Sequence, residues 1–353
     1  MSSDFLIVGA GAIGLTSAIA LLERGYHVMI VERGAVGQEA SWAGGGILAP
    51  LCSWDYCEPV THLAHRSMAM FEDYAAKLRD ATGIDAEYQR SGMLALPPLR
   101  DEIAVQWCVQ HDFPLQQVGL KDHLRELQGS GLLLPSVAQV RNPRLMQALH
   151  ARVEMLGGVI LENHEVRRFE KTGDRIFALH TRNGVLVADN YIVAAGAWSK
   201  LLLGEHALNL DIRPIRGQIL LFRFDAPPFD RILLKQDLYI IPRRDGHVLV
   251  GSTLEDVGFD KVTTNEARAN LMQRVREIFP DWRNEPVKQW AGFRPGSPDN
   301  IPVIGRHPHI ANLYINSGHF RYGVTMSLAS AELLLNEIEG RLQPIPVQAY
   351  RWR

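Results

Sequence analysis

The stretch "DFLIVGAGAIGLTSAIALLERGYHVMIVER", residues 4–33, gives the clearest indication of fold class in the chain. A short apolar run leads into a glycine-rich turn, and the periodicity predicts a helix from about Gly14 to Arg24. A second apolar run follows and ends at Glu32. Strand, helix and strand in this order predict a βαβ unit, in which the two strands are parallel neighbours.

The glycine spacing in this unit is typical of a dinucleotide site. Gly9 permits a tight turn, Gly11 lets the backbone approach a pyrophosphate, and Gly14 lets the helix pack closely on the strand. The positive end of the helix then faces the phosphates. Glu32 is placed to accept hydrogen bonds from ribose hydroxyls and would repel a 2′-phosphate, which disfavours NADP. The pattern does not choose between NAD and FAD.

Composition restricts the class of partner. The chain has 353 residues with 37 basic and 39 acidic side chains, so no long-range field attracts nucleic acid or an anionic membrane. Three scattered cysteines argue against a disulfide framework and favour a reducing, cytoplasmic location. No apolar run is long enough for a membrane span, and no metal site is expected. A small molecule is the partner that remains.

Three later segments contain further patterns typical of a ligand-binding α/β fold. The run "ASWAGGGILAP" (40–50) has three consecutive glycines and suits close contact with a ligand, although flexible loops also contain such runs. The segment "NYIVAAGAWSKLL" (190–202) predicts a strand that returns to the first sheet. The segment 312–340 predicts a strand, a turn and an amphipathic helix to about Glu339.

Arg294 in "AGFRPGSPDN" (291–300) raises a question of charge balance. A guanidinium at an apolar strand end costs several kcal/mol unless an anion pairs with it. Either a carboxylate of the protein or a carboxylate of a ligand could be that anion. Arg243 and Arg244, by contrast, are expected to be solvated at the end of a strand.

The chain resembles the FAD-dependent amine oxidases of the D-amino-acid oxidase and sarcosine oxidase superfamily, and within it the glycine oxidase family of thiamine biosynthesis. The resemblance spans nearly the whole chain. It is carried by the following blocks: GAGAIG with Glu32, the segment from Ser41 to Gly46, "VAAGAWS", "YIIPRRDGHVLVGSTLE", "WAGFRPGSPDNIPVIGRHP" and "GHFRYGVTMSLASA".

The resemblance implies an α/β (α+β overall) fold, in which a Rossmann-type FAD-binding domain is interleaved with a substrate domain built on a large mixed or antiparallel β-sheet. The implied domains are 1–82, 142–209 and 300–353 for FAD, and 83–141 and 210–299 for substrate. The implied cofactor-binding residues are Gly9, Gly11, Ala12, Ile13, Gly14, Glu32, Arg33, Ala40, Ser41, Gly45, Gly46, Ile47, Val166, Gly196, His319, Phe320, Arg321, Tyr322, Gly323, Val324 and Thr325.

The implied FAD is non-covalent, because the segment 297–300, where sarcosine oxidases tether flavin through a cysteine, reads "SPDN". The resemblance implies that Arg294 binds the substrate carboxylate, assisted by Tyr239 and Arg321. It also implies that Leu254 and Ile47 limit the size of the substrate. No side chain is assigned as a general acid or base.

The implied reaction is oxidation of glycine to an imine, which water hydrolyses to glyoxylate and ammonia while O2 becomes hydrogen peroxide; the imine would feed the thiazole of thiamine. The alternatives are a sarcosine or D-amino-acid oxidase, a quinone-linked D-amino-acid dehydrogenase of the same fold, and a tRNA-modifying flavoprotein. The lack of a basic patch argues against the last of these. The family suggests a homo-oligomer, namely a tetramer.

Overall fold

A computed structural model describes residues 3–124 and 127–352. Its strands, in chain order, are β1 (Ser3–Val8), β2 (Val28–Val31), β3 (Ile47–Leu48), β4 (Met93–Leu96), β5 (Gln116–Gly119), β6 (Ser130–Leu134), β7 (Ala138–Gln139), β8 (Val159–Leu161), β9 (Val166–Thr172), β10 (Arg175–Thr181), β11 (Gly184–Leu186), β12 (Ala188–Val193), β13 (Arg213–Arg223), β14 (Ile232–Lys235), β15 (Leu238–Pro242), β16 (His247–Gly251), β17 (Lys288–Gly296), β18 (Val303–Arg306) and β19 (Leu313–Ser317). Its α-helices are α1 (Ala12–Leu22), α2 (Ala40–Ala43), α3 (Glu58–Thr82), α4 (Asp101–Gln110), α5 (Asn142–Met155), α6 (Ser199–Leu203), α7 (Asn265–Arg276) and α8 (Gly323–Glu339).

The N-terminal βαβ unit has the predicted topology. β1 and β2 are parallel neighbours joined by α1, and β12 pairs with the other side of β1. The segment around residues 190–193 therefore returns to the first sheet, as predicted. The full order of this six-stranded sheet is β18-β19-β12-β1-β2-β8, and β18 is its antiparallel edge.

Helix α1 begins at Ala12, two residues before the predicted start. The Ser41 hydroxyl oxygen accepts a hydrogen bond from the Ala12 N–H at 2.9 Å, so a side chain of the short helix α2 satisfies a donor in the first turn of α1. A pattern confined to residues 4–33 carries no information about this contact.

The second large sheet has eight strands in the order β17-β13-β16-β15-β14-β4-β6-β5. Its neighbours are antiparallel except for the parallel pair β14 and β4, so the sheet is mixed, as predicted. Apolar residues of its strands pack against the buried face of α7, which includes Leu271 and Val275. A three-stranded sheet (β11-β10-β9) and a two-stranded sheet (β3-β7) complete the architecture.

The chain alternates between the two large sheets along its length. β1 and β2 lie in the first, β4 to β6 in the second, β8 and β12 in the first, β13 to β17 in the second, and β18 and β19 in the first. Helix α8 packs against both α1 and α3 beside the six-stranded sheet, and the three helices share the main apolar core. Each large sheet therefore depends on segments that are far apart in sequence.

None of the described helices combines the length and the apolar character needed to cross a membrane.

Candidate active site

A cleft of about 670 Å³ runs from the carboxyl ends of β1 and β2 to the face of the eight-stranded sheet. Most of the residues that the sequence singled out line it. Those residues are Gly9, Gly11, Ala12, Ile13, Glu32, Arg33, Ala40, Ser41, Gly45, Gly46, Ile47, Val166, Gly196, Tyr239, Arg294, His319, Phe320, Arg321, Tyr322, Gly323, Val324 and Thr325. Gly14 and Leu254 do not line it.

The glycine turn at one end of the cleft leaves no room for side chains. Gly9 has φ +109°, and a Cβ there would lie 2.5 Å from the Ala194 carbonyl oxygen. A Cβ on Gly14 would lie 1.9 Å from the Gly9 carbonyl oxygen, so Gly14 acts from behind the turn by letting the helix approach the strand. The N-terminus of α1 therefore opens directly into the cleft.

Glu32 is fixed at the end of β2 by two backbone donors. Its carboxylate accepts hydrogen bonds from the Ala10 N–H at 2.9 Å and the Gly34 N–H at 3.1 Å. The neighbouring Arg33 stacks on Trp198, with 3.5 Å from its guanidinium carbon to the ring centroid, and pairs with Glu39 at 2.5 Å. This end of the cleft therefore presents a rigid acid that can accept hydroxyl donors.

At the other end, Arg294 has neutral partners only. It donates to the Ser252 hydroxyl and, at 3.1 Å, to the Thr253 carbonyl oxygen. It forms no ion pair with any Asp or Glu of residues 3–124 and 127–352. Burial lowers the pKa of Arg294, with the nearby Arg321 acting in the same direction. An unpaired guanidinium at a cleft wall is a ready site for a carboxylate.

Tyr239 lies beside this arginine on β15. Its side chain packs over Gly251, where a Cβ would lie 2.6 Å from the tyrosine hydroxyl oxygen. Arg294 in turn lies over Gly217, where a Cβ would lie 2.1 Å from Nη1. Because β13 and β16 carry glycine at these positions, both polar groups can lie flat on the sheet and converge on the cleft.

The segment 319–325 forms the wall at the start of α8. His319 is buried, its Nε2 lies 2.8 Å from the Ser330 hydroxyl, and burial lowers its pKa to about 3. Tyr322 donates to the Tyr56 hydroxyl and accepts from the Leu51 N–H at 3.3 Å. The histidine is therefore neutral at ordinary pH and its Nε2 is already engaged. The N-terminus of α8 presents a fixed partial positive charge here.

Leu254 corrects the expectation of a size-limiting leucine. Its side chain is 49% exposed and lies outside the cleft, whereas Ser252, two residues earlier, lines the cleft and binds Arg294. Beyond the end of β16 the backbone still contacts β13 through an antiparallel bridge between Glu255 and Arg216, and the Glu255 carboxylate pairs with the buried Arg216 guanidinium. Ile47, the other residue expected to limit substrate size, does line the cleft.

Arg243 corrects a second expectation. It is only 5% exposed and is not solvated, whereas the Arg244 side chain is 54% exposed.

Two further residues that line the cleft, Asp237 and Trp198, were not predicted from the sequence. Asp237 lies in the two-residue turn between β14 and β15, where strand alternation does not apply, so no sequence pattern placed its side chain in the cleft.

These features fit a dinucleotide with an attached aromatic ring system. A glycine turn at a helix N-terminus accepts phosphates, and Glu32 is placed to accept ribose hydroxyls. The glycine run 44–46 and the start of α8 can then approach the ring system closely. The described part of the chain holds no group of three or more His, Cys, Asp or Glu side chains that could bind a metal ion.

Comparison with known proteins agrees with this reading of the cleft. A glycine oxidase of Pseudomonas aeruginosa is 41% identical over 98% of this chain and 97% of its own length. A bifunctional protein ThiO/ThiG of Trichormus variabilis is 30% identical over 96% of this chain and 53% of its own. The crystal structure of glycine oxidase from Geobacillus kaustophilus superposes with a TM-score of 0.94 at 26% identity, covering 99% and 98% of the two chains. The family model DAO, FAD dependent oxidoreductase, matches residues 4–336, and the chain therefore belongs to this family of FAD-dependent oxidoreductases.

Proposed function

We propose that this chain is an FAD-dependent amino-acid oxidase that converts glycine, water and O2 to glyoxylate, ammonia and hydrogen peroxide. The observation that carries the proposal is Arg294, a cation with only neutral partners in the described residues, which lines the cleft. The relatives named glycine oxidase support the choice of substrate.

In this proposal Arg294 binds the substrate carboxylate, and the Tyr239 hydroxyl donates to the same anion. Arg321, which forms no ion pair with the described acidic residues, adds a second positive charge. A planar guanidinium suits a planar two-oxygen anion. The contacts from Tyr239 and Arg321 would then restrict the rotation of the substrate carboxylate. Ile47 would restrict the space beside the substrate Cα and so favour glycine and other small amines.

FAD supplies the two-electron acceptor when it is bound, without a covalent link to the protein. The chain's own residues orient the substrate and exclude water. This orientation is expected to supply most of the acceleration of substrate oxidation. The proposed FAD-binding residues are those that line the cleft, with Gly14 acting through helix packing. The backbone N–H groups at the start of α8 favour negative charge near Gly323 and Thr325.

No side chain is assigned as acid or base. His319 is neutral above about pH 4, because its pKa is about 3, and its Nε2 is engaged with Ser330. Enclosure of the cleft disfavours the ammonium form of the substrate, so the amine reacts in its neutral form. Flavin reduction is therefore expected to become faster as pH rises towards the pKa of the substrate amine.

The imine product of glycine oxidation could be used in a biosynthetic pathway. The resemblance to bifunctional proteins named ThiO/ThiG supports a role in thiamine biosynthesis, where the imine of glycine would supply a two-carbon, one-nitrogen unit for the thiazole. We further propose a cytoplasmic homo-oligomer. The proposed FAD-binding domain comprises 1–82, 142–209 and 300–353, and the proposed substrate domain comprises 83–141 and 210–299.

A substrate and acceptor panel tests the proposal. The purified holoenzyme should release peroxide with glycine, and the rates with sarcosine and D-alanine rank the related substrates. Absence of peroxide together with reduction of an artificial quinone would favour the dehydrogenase alternative. No flavin reduction by any of the three amines would contradict the proposal.

A further inference from the structure

Arg243, just after β15, is buried and joins three segments of the chain. Its Nη1 donates to the Gln139 side-chain oxygen at 2.7 Å and to the Val140 carbonyl oxygen at 2.9 Å. Its Nη2 donates to the Gly45 carbonyl oxygen at 2.6 Å. One guanidinium therefore links the eight-stranded sheet, the end of β7 and residues 44–47, which we call the glycine loop.

The charge of Arg243 has no direct counterion among the residues that the structure describes. Its three acceptors are neutral, and the nearby carboxylates of Glu87 and Asp245 bind Arg141 instead, at 3.2 and 2.8 Å. Burial lowers the pKa of Arg243 to about 10, so it stays protonated at neutral pH. Burying an unpaired cation opposes folding, so stability alone does not account for an arginine here.

The contact with Gly45 connects this cation to the cleft. Gly45 lies against Tyr239, since a Cβ at Gly45 would be 3.1 Å from the tyrosine Cε2. The next carbonyl, that of Gly46, accepts from the Val140 N–H at 2.9 Å, and the Val140 carbonyl in turn accepts from Arg243. A shift of the Gly45 peptide would therefore move the cleft wall and the tyrosine beside Arg294 together.

We propose that Arg243 is a positioning residue of the active site. It fixes the Gly45 carbonyl, and with it the glycine loop against which FAD binds, and it holds a positive charge behind that wall of the cleft. This inference rests on the proposed role of the glycine loop in FAD binding. The charge stabilises the reduced, more negative form of the bound flavin relative to the oxidised form.

Arg244 provides a matched control. It is the next residue, carries the same charge and also donates to a backbone carbonyl, that of Tyr88 at 3.1 Å, but its side chain is 54% exposed. Solvent screens its charge, and Tyr88 is not among the residues that line the cleft. Removing this arginine changes the net charge by the same amount as removing Arg243.

The experiment compares Arg243→Met, Arg243→Lys and Arg244→Met with the parent protein. Two quantities are measured without any amino acid: the dissociation constant of FAD from the apoprotein and the midpoint potential of the bound flavin. In R243M the dissociation constant should rise about tenfold or more, because hydrogen bonds from a charged donor are lost. The equilibrium for flavin reduction should become about tenfold less favourable, which is about 30 mV for a two-electron couple.

The two further variants separate geometry from charge. R243K keeps the cation but loses the fork that reaches three acceptors, so its FAD affinity should fall while its potential stays close to that of the parent. R244M should match the parent in both quantities.

Two results would overturn the inference. One is an R243M protein with a lower melting temperature but an unchanged potential and FAD affinity, which would make Arg243 a purely structural residue. If R243M does not fold, an R243K protein that equals the parent in FAD affinity would overturn it instead. Because neither readout involves glycine, failure of the parent to oxidise glycine would contradict only the proposed function.

Discussion

Tyr239 and Arg294 form the polar end of the cleft, and the tyrosine can be tested without disturbing its packing. Tyr239 is 7% exposed, so Tyr239→Phe removes the hydroxyl and keeps the ring. Loss of one hydrogen bond to a charged ligand should raise the KM for glycine roughly tenfold, with kcat changed by less than about threefold. Steady-state peroxide production measures both constants. A fall in kcat at unchanged KM would instead assign the hydroxyl to the chemical step.

Asp237 places a negative charge among the lining residues beside Tyr239. It is half exposed and pairs with Arg274 at 2.5 Å, so its field is weakened but not cancelled. We expect Asp237→Asn to strengthen binding of malonate, a dianion, by roughly threefold to tenfold while acetate changes little. Perturbation of the flavin absorbance reports both dissociation constants. Equal changes for the two anions would contradict a charge-selective role, and Arg274→Gln should change malonate binding in the opposite direction.

Charge balance at an apolar strand end singled out Arg294 from the sequence but left open whether its anion belongs to the protein or to a ligand, and only the family resemblance implied the substrate carboxylate. Its partners Ser252 and Thr253 could not be predicted in the same way, since they lie beyond the end of β16, where strand alternation no longer applies. Leu254 was chosen from the same motif, and its exposure reflects that loss of register. Arg243 was misjudged because its acceptors lie about 100 and 200 residues away in sequence.

At the scale of elements, the pairing of β13 with β17 determines where Arg294 lies. Ile215 is opposite Arg294 in the register, and Gly217 leaves the space that the guanidinium occupies. Gly217→Ala would put a Cβ 2.1 Å from Nη1, so the arginine must move. The KM for glycine should rise at least about tenfold although the protein still binds FAD. Additive effects of G217A and R294A in a double-mutant cycle would contradict this explanation, because coupled residues give non-additive effects.

The start of α8 gives a prediction about acid stability. Burial lowers the pKa of His319 from 6.5 to about 3, so between these values the unfolded chain binds a proton that the folded chain does not. Stability therefore falls as pH drops through this window, by up to about 1.4 kcal/mol per pH unit from this group. His319→Asn cannot titrate, so its melting temperature should depend less steeply on pH between 6.5 and 3. Equal slopes for the two proteins would show that His319 does not contribute.

The ends of individual helices could be predicted where the signal lies in the neighbouring sequence. α8 ends at Glu339, as the sequence predicted. α7 ends at Arg276, yet Phe279, three residues later, still packs with the apolar residues of the eight-stranded sheet. An apolar pattern reports burial, and burial continues past the point where helical hydrogen bonding stops.

At the scale of the whole molecule, the fold class followed from the βαβ unit and the resemblance, whereas the strand order did not. β12 and β19 join the first sheet from positions about 180 and 310 residues after β1. The parallel pairing of β14 with β4 joins segments that are likewise distant in sequence. Such contacts bring residues of both large sheets to one cleft, and short sequence patterns carry no information about them.

In the proposed function, Arg294 binds the carboxylate of glycine so that the substrate lies against bound FAD. Anaerobic titration with glycine, followed by bleaching of the flavin absorbance, measures this binding through its effect on FAD. The parent protein should be bleached, and Arg294→Ala should require about a hundredfold or more glycine for the same bleaching, since a charged pair with two hydrogen bonds is lost. Bleaching of parent and R294A at the same glycine concentration would show that Arg294 does not bind the substrate carboxylate.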